Sequence, residues 1–406
     1  MDFDHIVVGA GISGLGAAHF AARAGHTSLV LERTDRIGGC INSHRFAACG
    51  GFWTEAGSHT AFNSYGTLIS ILEELGQIPR LTPKAKTSYK LWRAGKLSAV
   101  TSALHPLEAA LSLPRLFTTP KAGASVAEYF GRGLGQRNYR DLLGPAIQAL
   151  ICQPADEYPA ELLFRRKPRR KDILRKFTMP QGLSEIPAAL AEQPNIAVRT
   201  GQEVIAVERD GKGFRVQLAD GAEIPCRYLT LAAPPDVVGQ LLPKDLVAAK
   251  AAVATIGMAE IETLLVALRT ADIDLPRLAG LISVDDAFYS AVSRDYLADD
   301  QYRGFAFHFR PKALDAEAQL KVACHALGTD RVAVVESAHV PNRLPALRKG
   351  HQIIIDQLDT DLAGGQLAVT GNWFLGVSLE DALTRSHQEH LRVFAGRPKA
   401  HAEGLA

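Results

Sequence analysis

The sequence predicts an α/β fold organised on a parallel sheet, and three stretches carry that reading. The first is Ile6-Val7-Val8-Gly9-Ala10-Gly11-Ile12-Ser13-Gly14, an apolar run entering a G-x-G-x-x-G turn. Helix-spaced Leu15, Ala18 and Ala22 follow it, then a second apolar run, Ser28–Leu31, ending on Glu32. The second stretch holds strand-like runs at Glu203–Glu208, Phe214–Leu218 and Tyr228–Ala232, parted by Asp210-Gly211 and Asp220-Gly221 turns. The third is Leu367-Ala368-Val369-Thr370-Gly371-Asn372-Trp373-Phe374-Leu375-Gly376-Val377-Ser378, a buried strand breaking into a glycine loop. A helix starts there, with Ser378 and Asp381 as its capping box and Leu379, Ala382, Leu383, Leu391 and Phe394 on its apolar face.

The N-terminal strand–turn–helix–strand is a dinucleotide-binding fingerprint, closed by Glu32 eighteen residues after Gly14. Gly9 permits the tight turn, Gly11 lets a pyrophosphate touch the backbone, and Gly14 lets helix and strand pack closely. Ile12 and Ser13 open the helix, whose free N–H groups and positive dipole end suit phosphate. Glu32 is placed to accept hydrogen bonds from ribose hydroxyls. After it comes Arg33-Thr34-Asp35-Arg36-Ile37-Gly38-Gly39-Cys40. A second glycine pair, Gly38-Gly39, suits another backbone approach to the diphosphate or the adjoining ribityl chain. An NAD site has no need of it, so the expected cofactor is FAD.

The run from Glu32 to Gly39 resembles the E-x-x-x-R-x-G-G signature of flavin-containing amine oxidases. With it go Phe52-Trp53-Thr54-Glu55-Ala56-Gly57-Ser58-His59, Met179-Pro180-Gln181-Gly182-Leu183-Ser184-Glu185-Ile186-Pro187 and Gly371 to Leu379. Together they look like the protoporphyrinogen oxidase branch of that superfamily, across nearly the whole chain and in the right order. The resemblance implies an FAD-binding Rossmann-type (GR2-like) domain with an inserted α+β substrate domain. It implies that Arg33, Arg36, Gly57, Ser58, Ala232, Asn372 and Val377 join the glycines at the cofactor, and that Val204 reaches the adenine through its backbone. The helix starting at Ser378 and Leu379 would point its N-terminus at the flavin N1–C2=O edge, where reduced flavin carries negative charge. FAD is expected to bind non-covalently, although Cys40 and His59 are conceivable anchors.

Composition sets the outer limits. The 406 residues are 47% hydrophobic and 22% charged, which is globular and long enough for two linked domains. Forty-five basic residues against 43 acids leave a net charge of +2, so no strong field for nucleic acid is expected. The five cysteines lack C-x-x-C spacing and do not cluster with histidines, so neither a disulfide framework nor a metal site is expected. With no basic leader, no long apolar run and an odd cysteine count, the expected location is the cytoplasm, at most peripheral to a membrane.

The expected organisation is a discontinuous FAD domain, residues 1–80, 190–250 and 336–406, interrupted by substrate-side segments 81–189 and 251–335. Residues 85–190 read as largely helical, with a Ser125–Glu128 capping box, and 253–335 as alternating strands and helices. The expected chemistry is oxidoreduction: two electrons leave a C–N or C–C unit of a small organic substrate as hydride to flavin N5, with O2 or a quinone as final acceptor. Protoporphyrinogen oxidation and a redox-neutral isomerase or mutase are the alternatives. Amine oxidases often carry a lysine near N5 on a substrate-domain strand, yet Ala259 and Glu260 stand mid-way through Val253–Leu268. The stretch Val335–Pro341 also lacks the tryptophan common in protoporphyrinogen oxidisers.

His59 is the candidate catalytic base, since an unperturbed imidazole titrates at about 6.5. Trp373, Phe374, His308 and Arg165 are candidate substrate contacts. Eight bases fall within residues 165–176, broken only by Asp172 among acids. Such a run suits a solvated loop, a carboxylate-rich substrate, an acidic carrier protein or an anionic membrane surface. Leu104, Leu107, Leu111, Leu113, Leu116 and Phe117 read as the wall of a substrate tunnel, or as an aid to lipid contact.

Overall fold

A computed structural model describes residues 3–394; residues 1–2 and 395–406, the ends of the expected 1–80 and 336–406 segments, lie outside the described residues. Five short apolar strands form a parallel sheet in the order Ile196–Arg199, Ser28–Leu31, His5–Val8, Tyr228–Leu231, Leu367–Val369. Parallel strands are covered on both faces, and alternation assigns Ile6, Val8, Leu229 and Leu231 to one apolar layer and Val7 and Val30 to the other. This is the α/β Rossmann-type core that the fingerprint predicted.

On the second layer, the first helix (Ile12–Arg23) lies against the last one (Leu379–Phe394). Gly16 makes their approach possible, because a Cβ there would sit 2.5 Å from Leu383 Cδ2. Ser386 Oγ donates to Ser13 O (2.8 Å). Glu380 accepts from Thr67 N (2.9 Å) and Leu68 N (3.1 Å), so the last helix also caps the Gly66–Glu74 helix.

The middle strands form a separate antiparallel sheet, Val204–Asp210, Gly213–Leu218 and Glu223–Cys226, before the chain returns to the central sheet. A seven-stranded sheet stands beside it, in the order Val334–Ala346, Gly257–Arg269, Tyr302–Phe309, Phe288–Ser293, Gly280–Ser283, Tyr89–Arg93, Lys96–Ala99. Two expectations are corrected here. Residues 257–309 are four consecutive strands and not an alternation with helices, the Ala316–Leu327 helix coming only afterwards. Their connections are too short for parallel crossovers, which need a dozen or more residues. The boundary drawn at 336 falls inside the Val334–Ala346 strand, which stays hydrogen-bonded to Gly257–Arg269 along its length.

Ser125 and Glu128 form the capping box read from the sequence, with Ser125 N donating to Glu128 Oε2 (2.9 Å) and Glu128 N to Ser125 Oγ (3.3 Å). The preceding helix, Pro106–Thr118, does not wall a tunnel, because most of its apolar side chains face solvent.

The larger sheet encloses an ion pair. Arg303 Nη2 lies 2.6 Å from Asp295 Oδ2, both side chains are almost fully buried, and Leu278 N donates to the same carboxylate (3.0 Å). Asp295→Ala leaves a buried guanidinium uncompensated, so urea denaturation should show a loss of about 3–5 kcal/mol. An unchanged unfolding midpoint would contradict this assignment.

Candidate functional site

The two ends of the chain and the middle sheet meet around a cavity of about 490 Å³. It is lined by Glu32, Arg33, Gln202, Val204 and Ile205, and by Gly9, Gly11, Ile12, Ser13, Gly38, Gly39 and Ala232. Ser58, Gly371, Asn372, Val377, Ser378 and Leu379 line the other parts of the same wall. An elongated dinucleotide fits this cradle because its backbone is bare where the ligand must approach. Gly11 forms a bridge with Gly38, and a Cβ on Gly39 would stand 3.1 Å from Gly11 Cα.

Three expected cofactor residues do not line the cavity and act behind it. A Cβ on Gly14 would lie 1.9 Å from Gly9 O, and one on Gly57 2.1 Å from Cys40 O, so both glycines permit close backbone packing. Arg36 Nη1 donates to Ile37 O (2.9 Å) and Ile41 O (2.8 Å) and Nη2 to Gly39 O (2.7 Å), fixing the second glycine turn from outside. Glu32 Oε2 accepts from Ala10 N (2.9 Å) and Oε1 from Thr34 N (2.9 Å), so the ribose candidate also holds both glycine loops in register.

At the late helix, Ser378 Oγ accepts from Asp381 N (3.1 Å) and donates to Asp381 Oδ2 (2.6 Å). Asp381 Oδ1 in turn meets Lys167 Nζ (2.7 Å) and Arg165 Nη2 (3.4 Å). Arg165 is therefore engaged as the partner of a helix-capping acid and is not a free substrate cation. Trp373 and Phe374 are also corrected: both are fully buried in the core, rings 4.1 Å apart, and neither lines the cavity. The Trp373 indole explains Gly371, where a Cβ would lie 2.6 Å from Trp373 Nε1.

His59 follows the cavity-lining Ser58, and its Nδ1 lies 3.3 Å from Gly57 O. A carbonyl partner requires Nδ1–H, which leaves Nε2 as the acceptor. The expected near-neutral titration is not met. Burial, then the positive charge of Lys84 and the neighbouring His308, lower the His59 pKa to about 3. His308 is buried as well and bonds Thr263 Oγ1 (3.1 Å) with its Nδ1, and burial lowers its pKa to about 4. Asn342 Nδ2 donates to Thr263 Oγ1 (2.9 Å) and to Ala56 O (3.1 Å), so His308 belongs to a polar chain that ties the larger sheet to the Ala56–His59 loop.

Sequence reasoning missed the groups that surround this loop. Lys84 Nζ donates to Thr60 Oγ1 (2.7 Å) and to His59 O, and it sits 3.3 Å from the Tyr296 ring centroid. Burial lowers its pKa to about 7. Glu55 accepts from Leu183 N (2.7 Å) and Ser43 Oγ (2.8 Å), and burial raises its carboxyl to about 7. Glu55 stands in the motif quoted for the resemblance, which was the available signal. Lys84 stands in no motif, and only the tertiary fold brings it to residue 60.

Two predictions follow from this geometry. Gly11 has an ordinary φ of −72°, and a Cβ on it meets nothing closer than 3.9 Å. Gly11→Ala should therefore leave the apoprotein's thermal unfolding unchanged while purified protein loses its yellow absorbance; full retention of colour would remove Gly11 from the cradle. For Glu55, a raised folded-state pKa favours the neutral acid. The stability it contributes is complete below the ordinary value of 4.5 and disappears as pH rises through about 7. Glu55→Gln keeps a neutral side chain, so its melting temperature should gain on the native protein's between pH 5 and 8. Parallel curves would refute the assignment.

Comparison with known proteins agrees with this geometry. Residues 12–299 match the model of the family described as flavin containing amine oxidoreductase. The chain is 26% identical over 246 residues to a flavin-dependent L-tryptophan oxidase of Lentzea aerocolonigenes, covering 50% of this chain and 51% of that one. It is 37% identical over 79 residues to a 15-cis-phytoene desaturase of Synechococcus elongatus, covering 20% and 16%. The chain thus spans about half or less of the lengths of these curated relatives. A solved structure of a proposed protoporphyrinogen oxidase from Exiguobacterium sp. 255-15 superposes with a TM-score of 0.77 at 17% identity, covering 95% of this chain and 97% of that one. That likeness shows the shared fold. The matched segment runs from the first helix into the larger sheet, and the chain belongs to the flavin containing amine oxidoreductase family, whose cofactor is a flavin.

Proposed function

We propose that the protein is an FAD-dependent oxidoreductase that removes two electrons from a C–N or C–C unit of a small organic substrate. The observation that carries this reading is the single continuous cavity, which joins the glycine turns near the N-terminus to the capped helix near residue 378. The bound flavin supplies the electron acceptor, and the chain supplies position and charge. Gly9, Gly11, Gly38 and Gly39 would admit the diphosphate, Glu32 would take the ribose, and Val204 would offer its backbone to the adenine. The N–H groups of Val377, Ser378 and Leu379, which line the cavity at the late helix, would stabilise negative charge on a flavin held there.

Substrate-side proton handling falls to a set of groups held largely uncharged. His59 is a neutral imidazole at pH 7 with Nε2 free to accept a hydrogen bond, and its low pKa makes it an orienting acceptor before a proton store. Lys84 and Glu55, each with a pKa of about 7, are the groups whose protonation changes near neutrality. FAD is held without a covalent link. Cys40 lines the cavity, but burial raises its thiol pKa and keeps it a weak nucleophile.

Anaerobic mixing with a panel of amines, amino acids and protoporphyrinogen tests the reaction. Bleaching of the flavin band by one class, reversed by O2 or a quinone, is the expected result. Turnover with no net bleaching would replace oxidation with redox-neutral isomerisation on the same cofactor. Acid precipitation should leave the yellow chromophore in the supernatant, and colour retained in the pellet would overturn non-covalent binding.

A further inference from the structure

The helix Pro106–Thr118 is covered on one face only. Ser112 is buried and Leu116 packs over Gly133, where a Cβ would stand 2.4 Å from Leu116 Cδ1. Glu108, on the flank of that face, accepts from Arg137 N and Asn138 N, both at 3.2 Å. The opposite face is bare. Leu107 and Leu111 are each 81% exposed and Phe117 is 84% exposed, with Leu104 and Leu113 partly exposed beside them. At 100° per residue these side chains, with Ala110 and Pro114, sweep roughly half the helix circumference without a charge. A packed core would not leave such a face open, and scattered exposure does not produce it.

A second apolar group and a set of cations adjoin the helix's C-terminal end. Lys121, four residues beyond Phe117, donates from Nζ to Leu163 O, and the Arg165 charge is near enough to lower the Lys121 pKa. The neighbouring Phe164 is 64% exposed, held in a left-handed conformation (φ 52°) and in edge contact with Phe130. Arg165 and Lys167 are bound to Asp381, and Arg170 to Glu73 and Asp172. Arg166, Arg169 and Arg115 are exposed and make no ion pair among the described residues. The nearby acids Glu108 and Glu161 accept from backbone N–H groups, Glu161 from Gly123 N (2.7 Å), and neither is ion-paired to these arginines among the described residues.

We propose that this face docks the protein on an anionic bilayer surface, with the Pro106–Thr118 helix lying in the plane of the headgroups. Leu107, Leu111 and Phe117 enter the acyl boundary, Phe164 enters beside them, and Arg115, Arg166 and Arg169 meet the lipid phosphates. The charge pattern selects this occupant: an apolar arc with Arg115 on its own helix, and with Arg166 and Arg169 two and five residues along the chain from exposed Phe164, matches negative headgroups above hydrocarbon. No helix among the described residues is long and apolar enough to cross a membrane, so the attachment is peripheral.

Vesicle flotation tests it with the full flavin-loaded chain. The protein should float with vesicles of equimolar phosphatidylcholine and phosphatidylglycerol, float less with phosphatidylcholine alone, and be released by salt. The double variant Leu107→Ser/Leu111→Ser should lose about tenfold in bound fraction. Arg166→Ser/Arg169→Ser should weaken binding only to the anionic vesicles. Retained yellow absorbance and far-ultraviolet dichroism verify folding, which these exposed positions should not disturb. As an independent readout, Leu111→Trp should shift its emission to shorter wavelength when anionic vesicles are added. Failure to float with anionic vesicles, or flotation untouched by the leucine variants, overturns the proposal. So does a dimer in analytical ultracentrifugation that the leucine variants abolish while vesicles are ignored, since a second copy of the chain would then be the occupant.

Discussion

The contact between the first and last helices is the constraint on which the site depends. Gly16 is the residue that allows it, and Leu383 occupies the space its missing side chain leaves. The contact fixes where the late loop can go. Ser386 is bonded to Ser13 O, Thr370 to Ser386, and Val369 N to Glu389, so the strand Leu367–Val369 and the loop after it are stitched to the helix that follows the first glycine turn. Without this closure the cavity would lose one wall, and the glycine turns would remain an open phosphate loop. The last helix also caps Gly66–Glu74 through Glu380, which extends the constraint into the segment leading to Lys84.

Electrostatics divides the molecule in a way that total charge conceals. Around residues 55–60 the titratable groups are pressed towards neutrality: His59 and His308 downward, Glu55 upward, Lys84 downward. Burial is the first cause each time, and each group also has polar partners that make its burial tolerable. A region of this kind carries little fixed charge while retaining protons that can move. The basic run at 165–176 behaves in the opposite way. Part of it is neutralised internally, with Asp381 taking two cations at the helix that faces the cavity, and only the remainder is available to the outside.

The larger sheet is joined to the Ala56–His59 loop by hydrogen bonds through one side chain. Asn342, on the edge strand of the larger sheet, reaches both Thr263 on its neighbour and the carbonyl of Ala56 in the Ala56–His59 loop. That one amide couples the sheet bearing His308 to the turn bearing His59. A substrate seated against the larger sheet would therefore act on a loop whose position is already determined by the same strands.

Much of the nucleotide half was legible in the residues themselves. Glycine spacing, strand length and capping chemistry are local properties, so the strand–turn–helix–strand succession around Gly9–Gly14, the hairpins after 203 and the Ser378–Asp381 cap follow from nearest neighbours along the chain. The fate of polar and aromatic side chains was not local. Trp373 and Phe374 read equally well as a flavin wall or as core, and only the position of Gly371 and the layer beneath the sheet places them in the core. Arg165 reads as a free cation until Asp381, 216 residues away, is brought beside it. Lys84 carried no pattern, and the Leu107–Leu111 face read as a tunnel wall or as an aid to lipid contact, because hydrophobic periodicity reports which residues share a face, never what that face meets. The sequence alone determined a flavin-type cradle built from both ends of the chain, because backbone conformation and capping are encoded within a few residues. The tertiary structure decided which charges are spent, which aromatics are buried and which apolar face is left open, because those depend on partners that only folding brings within reach.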